Sequence, residues 1–192
     1  MLLIIYYVNI YSVKRSYVSI AGIVHENKIY GCNNIGLIDG TKLIENYFGV
    51  NIKYINDGDA FVLGEVYFNE IDYGPLNVLG IVFGTGVGGG LILNGKIVKN
   101  IEIHKFFESF LKENNLSEDN MDEVTDFISI DLSKIIELLN IDVLIINGYV
   151  RNYNGFSEML ESKLTCNKYY LDKLKVINSL CNNSILLGLK NI

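Results

Sequence analysis

Proline occurs once in these 192 residues, at Pro75, tryptophan is absent, and histidine occurs only at His25 and His104. With a single proline and no low-complexity run, nothing marks a flexible linker. Two histidines leave little room for a histidine-rich metal centre. The three cysteines, Cys32, Cys166 and Cys181, are far apart and form no C-x-x-C, which excludes a zinc knuckle or a disulfide framework and points to a reducing cytoplasm. Basic residues are also scarce: 16 Lys and Arg stand against 22 Asp and Glu, a net charge of −6, so no broad nucleic-acid surface is expected. Long apolar runs are missing too. The run Met1–Val8 is far short of the ~20 residues that cross a bilayer, and it lacks the basic start and small-residue cleavage site of a signal peptide. No membrane partner is expected.

What remains is a chain that can fold. Hydrophobic residues make up 49% of it, which argues against disorder, and 192 residues suffice for one medium domain or two small lobes. The pattern alternates strand and helix. Residues 17–24 and 28–30 read as strands, 41–48 as a helix stopped by Gly49, and 50–55 as a strand ending at Asn56-Asp57. Residues 59–70 read as a helix capped by Asp57 or Asp59. Two or three amphipathic helices are expected over 104–140, then a strand at 142–146. A helix at 157–164, a strand at 173–178 and a last helix at 184–190 complete an α/β chain with a mixed sheet flanked by helices.

The densest signal is the stretch 80–95, GIVFGTGVGGGLILNG. Gly84-Thr85-Gly86-Val87-Gly88-Gly89 fits the dinucleotide fingerprint G-x-G-x-x-G, but that fingerprint requires a strand before it and a helix after it. Here a short apolar run follows, then Asn94-Gly95, the dipeptide of a type I′ hairpin turn, then Lys96-Ile97-Val98 as the returning strand. NAD is therefore a poor reading. A glycine turn between strands can hold phosphate through converging backbone N–H groups, or it can simply serve a bulged hairpin. Upstream, Asp57 ends a strand where a carboxylate projects into the cleft of an open α/β sheet, and there it is either a general base or a helix cap.

These two features together resemble the ROK family of sugar kinases and related repressors, of the actin-like ATPase (ribonuclease H-like) superfamily. The resemblance rests on Ile55-Asn56-Asp57-Gly58-Asp59-Ala60, on Gly64-Glu65 and on Ile81 through Gly90. Residues 19–24, Asn33-Asn34-Ile35 and 142–148 support it. It implies an ATP-dependent, glucokinase-like phosphoryl transfer to a sugar hydroxyl with Asp57 as base. Asn34 and Asn56 would contact the sugar, Glu65 would buttress Asp57, Gly84, Thr85 and Gly86 would hold phosphate, and Gly148 would border the nucleotide. ATP and Mg²⁺ are implied, no residue is assigned as a metal ligand, and a homodimer in the cytoplasm is expected. The expected division is 1–70 as the remainder of an N-terminal lobe and 71–192 as the C-terminal lobe.

Three departures from the family pattern stand out. The opening D-x-G-G-T phosphate hairpin has no counterpart, and Asp39-Gly40-Thr41 is set aside because it reads as a loop leading into a helix. The chain accordingly reads as N-terminally truncated. The sugar-gripping E-x-G-H is represented only by Glu102 and His104, one residue too close together, and the cysteine-rich zinc motif is gone. The alternative is a non-catalytic sugar- or nucleotide-sensing relative, a pseudokinase or a gene fragment. The sequence does not name the sugar.

Overall fold

The computed structural model describes residues 13–31, 36–84, 87–104, 106–107, 120–153 and 155–192. Its centre is a five-stranded mixed sheet in the order β11-β10-β7-β8-β9, comprising β7 (Val78–Phe83), β8 (Val87–Leu93), β9 (Lys96–Val98), β10 (Val143–Gly148) and β11 (Lys175–Asn178). β10 runs parallel to β7 and β11, while β7-β8-β9 is an antiparallel meander. Asn94 and Gly95 both have positive φ (49° and 73°), as the type I′ turn between β8 and β9 requires.

Strand alternation divides the core in two. Leu79, Ile81, Phe83, Leu144 and Ile146 face one side, where they pack on α2 (Met121–Leu139) and α3 (Phe156–Lys163). α2 offers Val124, Ile128, Leu132 and Ile136, one stripe at helical spacing and wholly buried. Each such side chain contributes about 1.5–3 kcal/mol of burial. Val78, Val143 and Ile145 face the opposite side, against Val62 and Val66 of α1 (Asp57–Phe68).

α1 is buried nearly all round, as a helix caught between a sheet and another helix must be. A Cβ on Gly64 would lie 1.7 Å from the Ser184 carbonyl oxygen, and one on Gly188 1.8 Å from that of Ala60. These two glycines let α1 and the last helix, α5 (Ser184–Lys190), meet backbone to backbone. A short helix, α4 (Lys168–Lys173), leads into β11.

The remaining strands form two small sheets. β1 (Arg15–Ile20) lies parallel to β6 (Val50–Asn56), which also pairs with β5 (Asn46–Tyr47). β2 (Ile23–His25), β3 (Lys28–Tyr30) and β4 (Thr41–Lys42) form the other.

The expected helix over 41–48 is therefore wrong. Lys42 and Thr41 pair with Lys28 and Ile29, Asn46 and Tyr47 with Asn51 and Val50, and only Leu43 reaches a core, beside Ile29. Cross-strand pairing overrides a weak local helix preference in a segment rich in Thr, Asn and aromatic residues. Asp39-Gly40-Thr41 consequently leads into a strand, and Asp39 accepts a hydrogen bond from Gly31 N–H at 2.7 Å. The single strand read over 17–24 breaks at Ala21-Gly22. Within 104–140 the described residues carry one long helix, α2; residues 105 and 108–119 lie outside them.

Candidate active site

The parallel strands β1 and β6 end together, Ile20 beside Asn56, and open at their carboxyl ends onto a cavity of about 420 Å³. Ala21, Gly22, Asn56 and Asp57 form one wall; Gly84, Gly88 and Gly89 of the β7–β8 hairpin form another. Glu102 and His104, beyond β9, complete it. Topology explains the placement, because carboxyl ends of parallel strands are where side chains and helix N-termini converge on a ligand.

Asn56 caps α1. Its Oδ1 accepts from Asp59 N–H at 3.1 Å, and its Nδ2 donates to the Gly22 carbonyl at 2.9 Å. The helix cap is thus Asn56 and not Asp57 or Asp59, which leaves Asp57 on the first turn, half-buried in the cavity wall. Burial pushes the Asp57 carboxyl above the usual carboxylate range, against a lowering effect from the Gly58 N–H that it accepts at 3.0 Å. A carboxylate with raised proton affinity at a cleft is suited to take a proton.

His104 Nδ1 lies 3.0 Å from Glu102 Oε2, so these two cavity residues are already paired with each other. Their one-residue separation does not keep either out of the cavity: Glu102 lies in irregular backbone and His104 follows it past a turn at Ile103.

The glycine run has two jobs. A Cβ on Gly90 would lie 2.2 Å from the Gly58 carbonyl oxygen, and one on Gly58 would lie 2.0 Å from that of Gly89. Gly58 and Gly90 therefore let the start of α1 lie against β8, which brings Asp57 to the hairpin. Gly84 lines the cavity directly. Thr85 and Gly86, expected to hold phosphate, lie outside the described residues, as does Asn34.

A second cavity, of about 310 Å³, adjoins the other side of the hairpin strand, and Val82 lines both. Asn147, Gly148, Ser184 and Leu186 wall it. Gly148 has φ 101° and ψ −160°, a region open essentially to glycine alone, and a Cβ there would sit 2.0 Å from the Phe83 carbonyl oxygen.

Glu65 does not buttress Asp57. Wholly buried two turns farther along α1, it accepts hydrogen bonds from Asn147 Nδ2 and Ser184 Oγ, and from Asn69 Nδ2 at 3.1 Å. It ties α1 to the end of β10 and the start of α5, and so shapes the second cavity. The helical period carries a residue eight positions on along the helix axis and away from its start.

One residue beside the cavity was read from the sequence only as a possible helix cap and as part of the family motif, with no role of its own. Asp59, 2% exposed, accepts Asn100 N–H on both carboxylate oxygens at 3.1 Å. Burial lifts its pKa to about 6; the Asn100 bond and Lys99 oppose the rise, and the charges of Asp57 and Glu102 add to it. Apart from its place in that motif, its sequence signal was an acidic residue in a helix's first turn, which ordinarily means a favourable helix terminus.

The fold is that of the actin-like ATPases, with one cavity at the Asp57 carboxylate and a second across the hairpin. Residues 10–99 match the model of the ROK family. The chain is 38% identical over 76 residues to an N-acetyl-D-glucosamine kinase of Mannheimia succiniciproducens, a match spanning 38% of this chain and 25% of that relative. Among solved structures it is similar in fold to a candidate sugar kinase of Cytophaga hutchinsonii, with TM-score 0.77 and 18% identity over 99% of this chain and 83% of that one. It is also similar to a ROK family glucokinase of Streptomyces griseus in complex with glucose and AMPPNP, with TM-score 0.65 and 16% identity over 89% of this chain and 78% of that one.

Proposed function

We propose that this chain carries the acceptor site of an ATP-dependent sugar kinase, with Asp57 as general base. The observation that supports this best is the half-buried Asp57, proton affinity raised, between the hairpin glycines and the Glu102–His104 pair in one cavity. In this reading Asp57 takes the proton of the acceptor hydroxyl as that oxygen bonds to the γ-phosphorus and the bond to ADP breaks. Glu102, His104 and the remaining amide proton of Asn56 orient the sugar, together with Asn34. Gly84, Thr85 and Gly86 hold phosphate, and Gly148 borders the nucleotide in the second cavity.

Among the described residues no group of three or more His, Cys, Asp or Glu side chains converges as a metal site. Mg²⁺ would arrive only as the ion that accompanies ATP. The two-lobe division at residue 70, a homodimer and a cytoplasmic setting belong to the same reading; among the described residues no helix is long and apolar enough to cross a membrane. An N-acetylated hexosamine is the first sugar to try, given the relatives' substrate.

A second reading, a sensing relative without turnover, is favoured by the Glu102–His104 pairing and the engaged Asn56 amide, since both must yield groups to a sugar. Calorimetric titration of Mg·ATP and N-acetyl-D-glucosamine, followed by an ADP-release assay, separates the two. The kinase reading expects ADP release that Asp57→Asn abolishes, with ATP affinity within about threefold of wild type, since Asp57 acts on the acceptor side. Saturable binding with no ADP release supports the sensor. A well-folded chain that binds neither ligand refutes both.

A further inference from the structure

Asp59 occupies the third position of α1, where an acidic side chain ordinarily folds back onto the N-cap residue's own N–H. Here both its oxygens instead take the N–H of Asn100, in the turn beyond β9. Asn100 has φ 60°, a left-handed conformation that asparagine tolerates, and its side chain mimics a neighbouring strand. Its Oδ1 accepts Val24 N–H at 2.9 Å and its Nδ2 donates to the Val24 carbonyl at 3.2 Å. One carboxylate and one amide thus join the start of α1, the turn after β9 and strand β2. Each joined segment carries a cavity wall within two to four residues: Asp57 before Asp59, Glu102 and His104 after Asn100, and Gly22 before Val24.

We propose that Asp59 is a positioning residue which, through Asn100, sets the placement of the Glu102–His104 arm and of β2 relative to Asp57, and so the shape of the acceptor cavity. Its link to sugar binding rests on the proposed function; the tether itself does not. Charged groups acting on Asp59 are Lys99, which favours the carboxylate, and Asp57 and Glu102, which oppose it.

Amide hydrogen exchange of the full chain, read by mass spectrometry, tests the tether. Asp59→Ala should raise exchange at residues 99–104 and 22–25 by about tenfold or more, the scale of a lost hydrogen bond to a charged acceptor. Protection in β7 and β10 should stay unchanged. Asp59→Asn, whose Oδ1 still accepts the Asn100 N–H, should stay within about threefold of wild type. Affinity for N-acetyl-D-glucosamine should follow the same order, weakened in the alanine variant and kept in the asparagine variant.

Unchanged exchange at 99–104 in Asp59→Ala, or a rise spread equally through β7 and β10, overturns the proposal. A wild-type chain that binds no sugar overturns the kinase reading alone, and the exchange result still decides the tether. Should Asp59→Ala fail to fold, Asn100→Gly keeps the left-handed backbone and its N–H but loses the hook. Exchange should then rise at Val24 and not at Asn100, and a chain equally protected at both overturns the proposal.

Discussion

Replacing Asp59 with asparagine should remove the pH dependence that this carboxyl imposes on folding. In the native state burial holds its pKa at about 6 against an ordinary value of 3.8, with Lys99 opposing the shift and Asp57 and Glu102 adding to it. A folded-state pKa raised in this way means the native state binds the proton more readily than the unfolded chain. Its contribution to stability is fully present below pH 3.8 and is lost as the pH climbs through about 6. At neutral pH the charged form costs the fold on the order of 3 kcal/mol relative to the neutral form, and between pH 4.5 and 7.5 the change is roughly 2 kcal/mol. Asparagine has no proton to lose and keeps an acceptor for Asn100. Urea unfolding followed by circular dichroism should therefore show Asp59→Asn gaining roughly 2 kcal/mol relative to wild type on going from pH 4.5 to 7.5. A constant offset from changed hydrogen bonding cancels in that comparison, and acid effects of the other carboxylates are common to both proteins. A difference that stays flat with pH, or a variant that loses ground as pH rises, would refute the assignment of Asp59 as a carboxyl whose proton affinity burial raises.

Glu65 carries the opposite kind of carboxylate, one whose partners need it. Glu65→Ala leaves Asn147, Ser184 and Asn69 donors without their acceptor at a site with no solvent, and should cost about 3–5 kcal/mol in urea unfolding. Glu65→Gln keeps the shape but sets an amide donor against one of these donors, and should cost about 1–3 kcal/mol by the same measurement. Gly148→Ala forces a side chain into the Phe83 carbonyl and a backbone region closed to alanine, so a loss of about 2–4 kcal/mol is expected. Calorimetry should show weakened ATP binding in that variant under conditions where it remains folded. Asp57→Asn should leave stability within about 1 kcal/mol of wild type, since asparagine is equally at home on a helix's first turn. A variant that unfolds would reassign Asp57 to a structural role.

Periodicity and turn chemistry, which act over a few residues, were readable along the chain. A short apolar run identified β10, Asn94-Gly95 identified the hairpin and so excluded a helix after the glycines, and amphipathic patterning identified helix over 104–140, the region of α2. The Asn56-Asp57 junction was visible as a strand ending in polar residues. Which of these two caps the helix was not, because Asn and Asp are interchangeable in that use until the backbone fixes one. The misread segment 41–48 shows the limit from the other side. Its local preferences are weak, and pairing with residues 28–29 and 50–51 decides its conformation. The glycine run carried more than one meaning: four glycines in six positions signal close approach, but only the packed fold shows that Gly90 admits α1 while Gly84, Gly88 and Gly89 flank a cavity. Glu65, Asp59 and Asn100 were illegible for a related reason. A buried carboxylate is defined by the donors around it, and here all but Asn69 come from residues 41 to 119 positions away. Sequence by itself determined the elements and the family's strand-and-hairpin frame, since these depend on neighbours in the chain. Tertiary structure alone decided which polar side chains hold the frame together and which are left facing the cavity, since that depends on what each meets when distant segments come into contact.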